Sequence, residues 1–138
     1  MVEENIKIAS SATAGHFTDD DFELVEKIVS IIKEKEKVGC TACRYCMPCP
    51  KGVDIPGNFY YYNLMSIDKK STARFEFAQN MGIRKEPGFA SQCIGCGKCE
   101  QHCPQHLPIR QHLKEASKEL ETFQYKAAKK LIKAFKLW

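Results

Sequence analysis

Eight cysteines fall into two tight groups and occur nowhere else in the 138 residues. The first is Cys40, Cys43, Cys46 and Cys49, followed by Pro50; the second is Cys93, Cys96, Cys99 and Cys103, followed by Pro104. A disulfide framework spreads its cysteines to staple distant loops, and these are bunched instead. The acidic N-terminus, MVEENIKIASS, lacks the apolar run of a secretory signal. A cytoplasmic location with reduced thiols is therefore expected.

The spacing narrows the chemistry. Cys93-x2-Cys96-x2-Cys99-x3-Cys103-Pro104 is the half-site pattern of bacterial two-cluster iron–sulfur proteins. Three thiolates two residues apart can wrap one loop around three irons of a cubane, while the fourth turns to the neighbouring cluster. The first group has x2 where x3 is usual before Cys49, so its tripod is intact and the direction of its fourth thiolate is open. The expectation is two [4Fe–4S] clusters. Cys40, Cys43, Cys46 and Cys103 would hold one, and Cys93, Cys96, Cys99 and Cys49 the other. An uncrossed arrangement, each group keeping its own four, is the alternative. Two structural zinc ions, each with four cysteines, form a second alternative, although zinc ribbons draw pairs of cysteines from separate knuckles.

Gly95 and Gly97 permit tight backbone that brings amide N–H groups to cluster sulfurs. His102, next to a ligand, is a candidate hydrogen-bond donor to a cluster, and Lys98 a candidate for raising its potential. The bland reading for both, and for His16, His106 and His112, is an exposed bystander. The three consecutive tyrosines, Tyr60 to Tyr62, read as core and rim packing rather than a stacking platform for bases, since no Arg or Lys interleaves them.

The formal charge of +4 hints at an acidic partner. Each cluster with its four thiolates would contribute about −2, which returns the total to about zero. No nucleic-acid partner is expected. With 43% hydrophobic and 28% charged residues the chain has the composition of a folded protein. Its apolar runs are too short to span a membrane.

Helix signals dominate, with no convincing run of alternating strand residues. Residues 1–17 read as a loosely ordered lead-in. Thr18 and Asp21 form an N-terminal capping pair for a helix to about Glu36, with Phe22, Val25, Ile28, Val29 and Ile32 on one face. Pro56 suits the first turn of a helix to about Ile67. Ser71 is a candidate cap for another, through Phe75 and Phe77 to about Asn80, with Gly82 as its end. From Ile109 a long helix is expected to carry Leu113, Ala116, Leu120, Phe123, Ala127, Leu131 and Phe135. An internal repeat relates the halves: C-x2-C-x2-C, then C-P-x2-[Val/Leu]-x-Ile, leading into a helix. The predicted fold is all-α, with two irregular cysteine loops related by a pseudo-twofold. Its parts are a lead-in (1–17), a dicluster domain (18–120) and a basic amphipathic helix (121–138).

That last segment carries Lys126, Lys129, Lys130, Lys133 and Lys136 with Phe135, Leu137 and Trp138. It reads as a helix packing its apolar side on the domain, with contact to a membrane surface or an acidic partner as the other reading.

The stretches CTACRYCMPCPKGVDIPGNF and QCIGCGKCEQHCPQHLPIRQHL resemble the C-terminal region of iron–sulfur-containing aldo/keto reductases. Residues 2–24 are also similar to the segment where those enzymes leave their barrel. The resemblance, over residues 1 to about 120, implies an α-helical ferredoxin-like domain attached to, or partnering, an NAD(P)H-dependent (β/α)8 oxidoreductase. The catalytic residues and nicotinamide pocket of that family lie in a barrel this sequence does not contain. The sequence holds no Gly-rich phosphate loop and no nucleophile–base set, so no catalytic residue is assigned and NAD(P)H belongs only to the absent barrel. The chain is then either an excised domain or the product of a short gene. Electron transfer to a reductase, with a further redox partner as donor, is the expected function. A metal-stabilised structural module is the rival, and an interaction domain docking through the lysine-rich segment is compatible with either.

Overall fold

A computed structural model describes residues 1–123, and among them every regular element is helical. The segment holding Ala127, Leu131, Phe135 and the five lysines of the expected basic helix lies outside the described residues. No helix among the described residues is long and apolar enough to cross a membrane. The chain divides into two compact units, Met1–Glu34 and the residues from Lys35 onward.

The first unit comprises α1 (Val2–Ser11) and most of α2 (Asp19–Lys35). Where the sequence suggested a loose lead-in, α1 is a regular helix, with Glu3 and Glu4 favourably placed in its first turn. The start of α2 follows from its sequence. Thr18 N–H donates to the Asp21 carboxylate at 2.9 Å, and Asp21 N–H returns a bond to Thr18 Oγ1 at 3.3 Å. These bonds from Thr18 hold the Asp21 carboxyl below its ordinary range. Phe17 and Phe22, on either side of the cap, meet edge to face at 5.1 Å as a hydrophobic staple. No residue of α1 or α2 is buried.

The second unit has one core. Helix α3 (Ile55–Ile67) packs against α4 (Lys70–Phe77) and α6 (Ile109–Leu120). Asp54 caps α3 by accepting from Gly57 N–H, and Pro56 sits in the first turn, where its missing N–H has no partner to lose. Phe59, Tyr61, Tyr62 and Met65 of α3 meet Ala73 and Phe77 of α4 and Leu113, Ala116 and Leu120 of α6 in a single buried cluster. Tyr60 faces out, so the tyrosine run is core and rim as its sequence suggested. A short helix, α5 (Lys98–Gln101), lies within the second cysteine loop.

Two helix boundaries differ from expectation. Ser71 is not a cap: α4 begins two residues earlier than such a cap implies, with Lys69 at the cap and no side-chain bond there, and a π turn over Ala78–Gly82 extends it. Helix α6 does not reach Phe123. It ends at Leu120, where Glu121 leaves helical geometry at φ −91° and ψ 57°. The Glu121 carboxylate turns inward to accept from Ser91 N–H and Ser91 Oγ, ahead of Cys93, and Phe123 is exposed. A buried carboxylate with two donors outweighs one more turn of an apolar stripe.

Candidate metal centre

Two asparagines on α3 position the cysteine loops. Asn63 accepts from the N–H groups of Lys37 and Val38 at 3.0 and 2.9 Å and donates to Val38 O at 2.8 Å, fixing the chain just before Cys40. Asn58, fully buried, donates to Gly88 O at 2.8 Å and accepts from Ala90 N–H at 3.1 Å, fixing the chain just before Cys93. One helix thus holds the start of both loops. Gly88 also receives Asp54 N–H at 2.9 Å, joining the exit of the first loop to the approach of the second. With φ at +65°, and with Asp54 N only 2.8 Å from where a Cβ would stand, this position admits glycine alone.

The loops make the same left-handed backbone choices at three matching positions. In the first, Ala42 and Arg44 flank Cys43 with φ of +54° and +65°; in the second, Gly95 and Gly97 flank Cys96 with φ of +73° and +76°. Three residues past the last cysteine, Gly52 and His106 match again, at +68° and +50°. The same turns follow: Gly52 N–H to Cys49 O and His106 N–H to Cys103 O, at 2.9 and 3.0 Å. The left-handed residues turn amides toward sulfur. Gly95 N–H lies 3.4 Å from Cys93 Sγ, and the Ala42 amide bears on Cys40 in the same way. The extra residue between Cys99 and Cys103 is taken up by the helical turn of α5.

All eight thiols are free, six partly buried and two, Cys43 and Cys96, exposed. They line two neighbouring cavities. One, of about 280 Å³, is bounded by Cys93, Cys96 and Cys99 together with Cys49 and Cys46 of the other loop. The second, of about 20 Å³, is bounded by Cys40, Cys43 and Cys46 together with Cys103. The fourth cysteine of each group therefore faces the three of the other, and Cys46 borders both. Among the described residues no three His, Cys, Asp or Glu side chains converge on a single point as one metal ion requires. Thiols arranged around a cavity suit a polynuclear cluster, whose irons are spread over several ångströms.

Burial pushes the Cys46 thiol up to about 11, with further repulsion from Cys40, Cys99 and Cys43. Cys40 and Cys99 are raised as well, again chiefly by burial. Such thiols stay protonated without a cation beside them, so metal uptake at this site releases protons. The donor set fits iron–sulfur chemistry: soft sulfur ligands, partial burial and amides aimed at sulfur.

Around the larger cavity stand Lys98 and His102, both singled out in the sequence. His112 is elsewhere, its Nδ1 3.3 Å from Glu115 and its ring edge-on to Phe59, and His16 is exposed in the first unit. Sequence reasoning missed Arg110 and Glu100. The Glu100 carboxylate accepts from Arg110 N–H at 2.9 Å and pairs with its guanidinium at 2.8 Å. That pair ties the second loop to the start of α6, whose cap residue, Pro108, has no side chain to offer. It holds the Glu100 carboxyl below its ordinary range. Asn58 and Asn63 were missed too, although two asparagines in an otherwise apolar helix, IPGNFYYYNLMSI, were a signal for polar duty.

A family model described as a 4Fe-4S dicluster domain matches residues 39–107, a span that opens just before Cys40 and closes just past Cys103. No curated protein and no solved structure is similar enough to count as a match.

Proposed function

The chain belongs to the 4Fe-4S dicluster domain family, and on that footing we propose that it is an electron-transfer module holding two [4Fe–4S] clusters. One takes Cys40, Cys43, Cys46 and Cys103 as ligands; the other takes Cys93, Cys96, Cys99 and Cys49. The observation that carries the reading is the exchange of fourth cysteines between the two cavities. Exchange of this kind brings two redox centres close together, which a relay needs and a purely structural site does not. When bound, each cluster supplies a reversible one-electron couple. The chain's own residues do the rest. Thiolates hold iron, the Ala42 and Gly95 amides bear on sulfur, and partial burial limits water.

The module has no catalytic machinery of its own in this reading. It passes electrons between a donor and the NAD(P)H-dependent barrel of an aldo/keto reductase-type enzyme, in the same parent chain or a separate one. The support for that partner is the sequence resemblance over residues 1 to about 120, and the family match does not extend to it.

The test is iron and acid-labile sulfide per chain on anaerobically prepared protein. About eight of each, with a reversible redox titration, is the expected result. About two zincs, no sulfide, and failure of anaerobic reconstitution would replace the relay with a structural metal module. Serine at Cys49 should disturb the cluster held by the second loop's tripod, and serine at Cys103 the one held by the first. The reverse pattern would establish uncrossed ligation.

A further inference from the structure

We infer that the open groove beside Cys93 is the docking face for an acidic one-electron carrier protein; this deepens the electron-transfer reading and rests on it. The groove, of about 510 Å³, has Cys93, Ile94 and Gly95 of the second loop on one wall and Arg110, Lys114 and Lys118 of α6 on the other. These three basic residues recur every fourth position, so they share one helix face, away from the buried Ile109, Leu113, Ala116 and Leu120. Arg110 is paired with Glu100, whereas Lys114 and Lys118 are exposed and, among the described residues, in no ion pair. Of the nearby carboxylates, Glu121 is bonded to Ser91, and Glu115 to Gln111 and His112. Ile94, 63% exposed, gives the groove an apolar contact point.

The counterpart beside Cys40 has none of this charge. It is lined by Ala42, Pro56, Tyr60, Asn63, Leu64 and Ile67. Among the described residues, Arg44 is the one basic residue lining the cavity of the first loop, whereas a row of three, Arg110, Lys114 and Lys118, lines the groove beside Cys93. Carriers that exchange single electrons hold anionic centres, such as flavin phosphates or thiolate-ligated iron, and so does this site once loaded. Two such centres repel on approach, and a basic rim offsets that repulsion and orients the encounter. In the transfer itself the carrier loses one electron and the cluster gains it; no atom or proton need move.

The experiment follows reduction of the cluster-loaded full chain by stopped flow, with flavodoxin hydroquinone as the acidic protein donor. Photoreduced deazariboflavin serves as a neutral small donor. The flavodoxin rate should fall steeply with added salt. Lys114→Glu/Lys118→Glu should lower it about tenfold or more at low ionic strength, with the deazariboflavin rate and the visible spectrum unchanged. Lys27→Glu/Lys33→Glu, the same change of charge on exposed positions of α2, should stay within about twofold of native. Should the reversed groove variant load poorly, Lys114→Gln/Lys118→Gln reads the same effect at smaller amplitude. Equal slowing by both charge reversals, or a native rate in the groove variants, overturns the docking face. A native protein that deazariboflavin cannot reduce overturns the electron-transfer reading and this surface with it.

Discussion

The two cysteine loops adopt one backbone with different residues. Around Cys96 the left-handed positions are Gly95 and Gly97; around Cys43 they are Ala42 and Arg44. A left-handed residue with a Cβ costs roughly 1–2 kcal/mol, and glycine is exempt. The first loop therefore carries strain that the second avoids, and it carries it at the two matching positions. A shape kept in spite of strain is set by what the loop surrounds, here a ring of thiols, rather than by local preference. The loops differ also in how the next helix is capped. Asp54 caps α3 from its own cap position, while Glu100 reaches from within the second loop to the Arg110 amide in the first turn of α6.

The most drastic way to break the pair is at their junction. Gly88→Ala would place a Cβ 2.8 Å from Asp54 N and 2.9 Å from Gly52 O, both backbone atoms, in a left-handed conformation. Neither wall is the movable end of a side chain. A loss of roughly 3–5 kcal/mol is expected, read by urea unfolding of the loaded protein, together with poor cluster loading in both loops. Disturbance of one loop alone would mean that the Gly88–Asp54 contact does not couple them.

The two asparagines separate the loops. Asn58→Leu strips a buried set of hydrogen bonds and strands Ala90 N–H, while Gly88 O keeps only its bond from Asp54 N–H; Asn63→Leu strips a half-buried set, where water can replace the amide. Expected losses are about 3 kcal/mol for the first and about 1–2 kcal/mol for the second. Each should impair loading chiefly in the loop it anchors, the second for Asn58 and the first for Asn63. Site-resolved EPR of the reduced clusters distinguishes them. Equal losses at both positions would show that burial does not set the difference.

These anchors also mark what could be read from the chain before its fold. The starts of α2 and α3 were legible because their signals are local: Thr18 with Asp21, and Pro56 in the first turn. The repeat was legible because cubane ligation fixes cysteine spacing within a loop. The end of α6 was not. Phe123 continues the apolar period, and only the fold brings Ser91 to Glu121. Asn58 and Asn63 were hidden for the same reason, their partners lying 25 to 32 residues away. The strain at Ala42 and Arg44 was within reach. Aligning the two halves of the repeat places them on Gly95 and Gly97, and a glycine required in one copy foretells a strained residue in the other.

That alignment gives the finest comparison. Gly95→Ala and Gly97→Ala each impose the left-handed penalty of roughly 1–2 kcal/mol, less about 0.7 kcal/mol regained because alanine leaves the unfolded chain fewer conformations. A net loss of about 1 kcal/mol apiece follows. The reverse changes, Ala42→Gly and Arg44→Gly, relieve that strain and lose the same 0.7 kcal/mol or so to a looser unfolded chain, so a net gain of about 1 kcal/mol apiece is expected. The four variants are compared by urea unfolding, with and without iron and sulfide. If the glycine-to-alanine changes in the second loop were harmless, the left-handed turns would not be part of the folded loop. If Ala42→Gly and Arg44→Gly were strongly destabilising, those side chains would be making contacts that offset their backbone strain, and the first loop would not be a strained copy of the second.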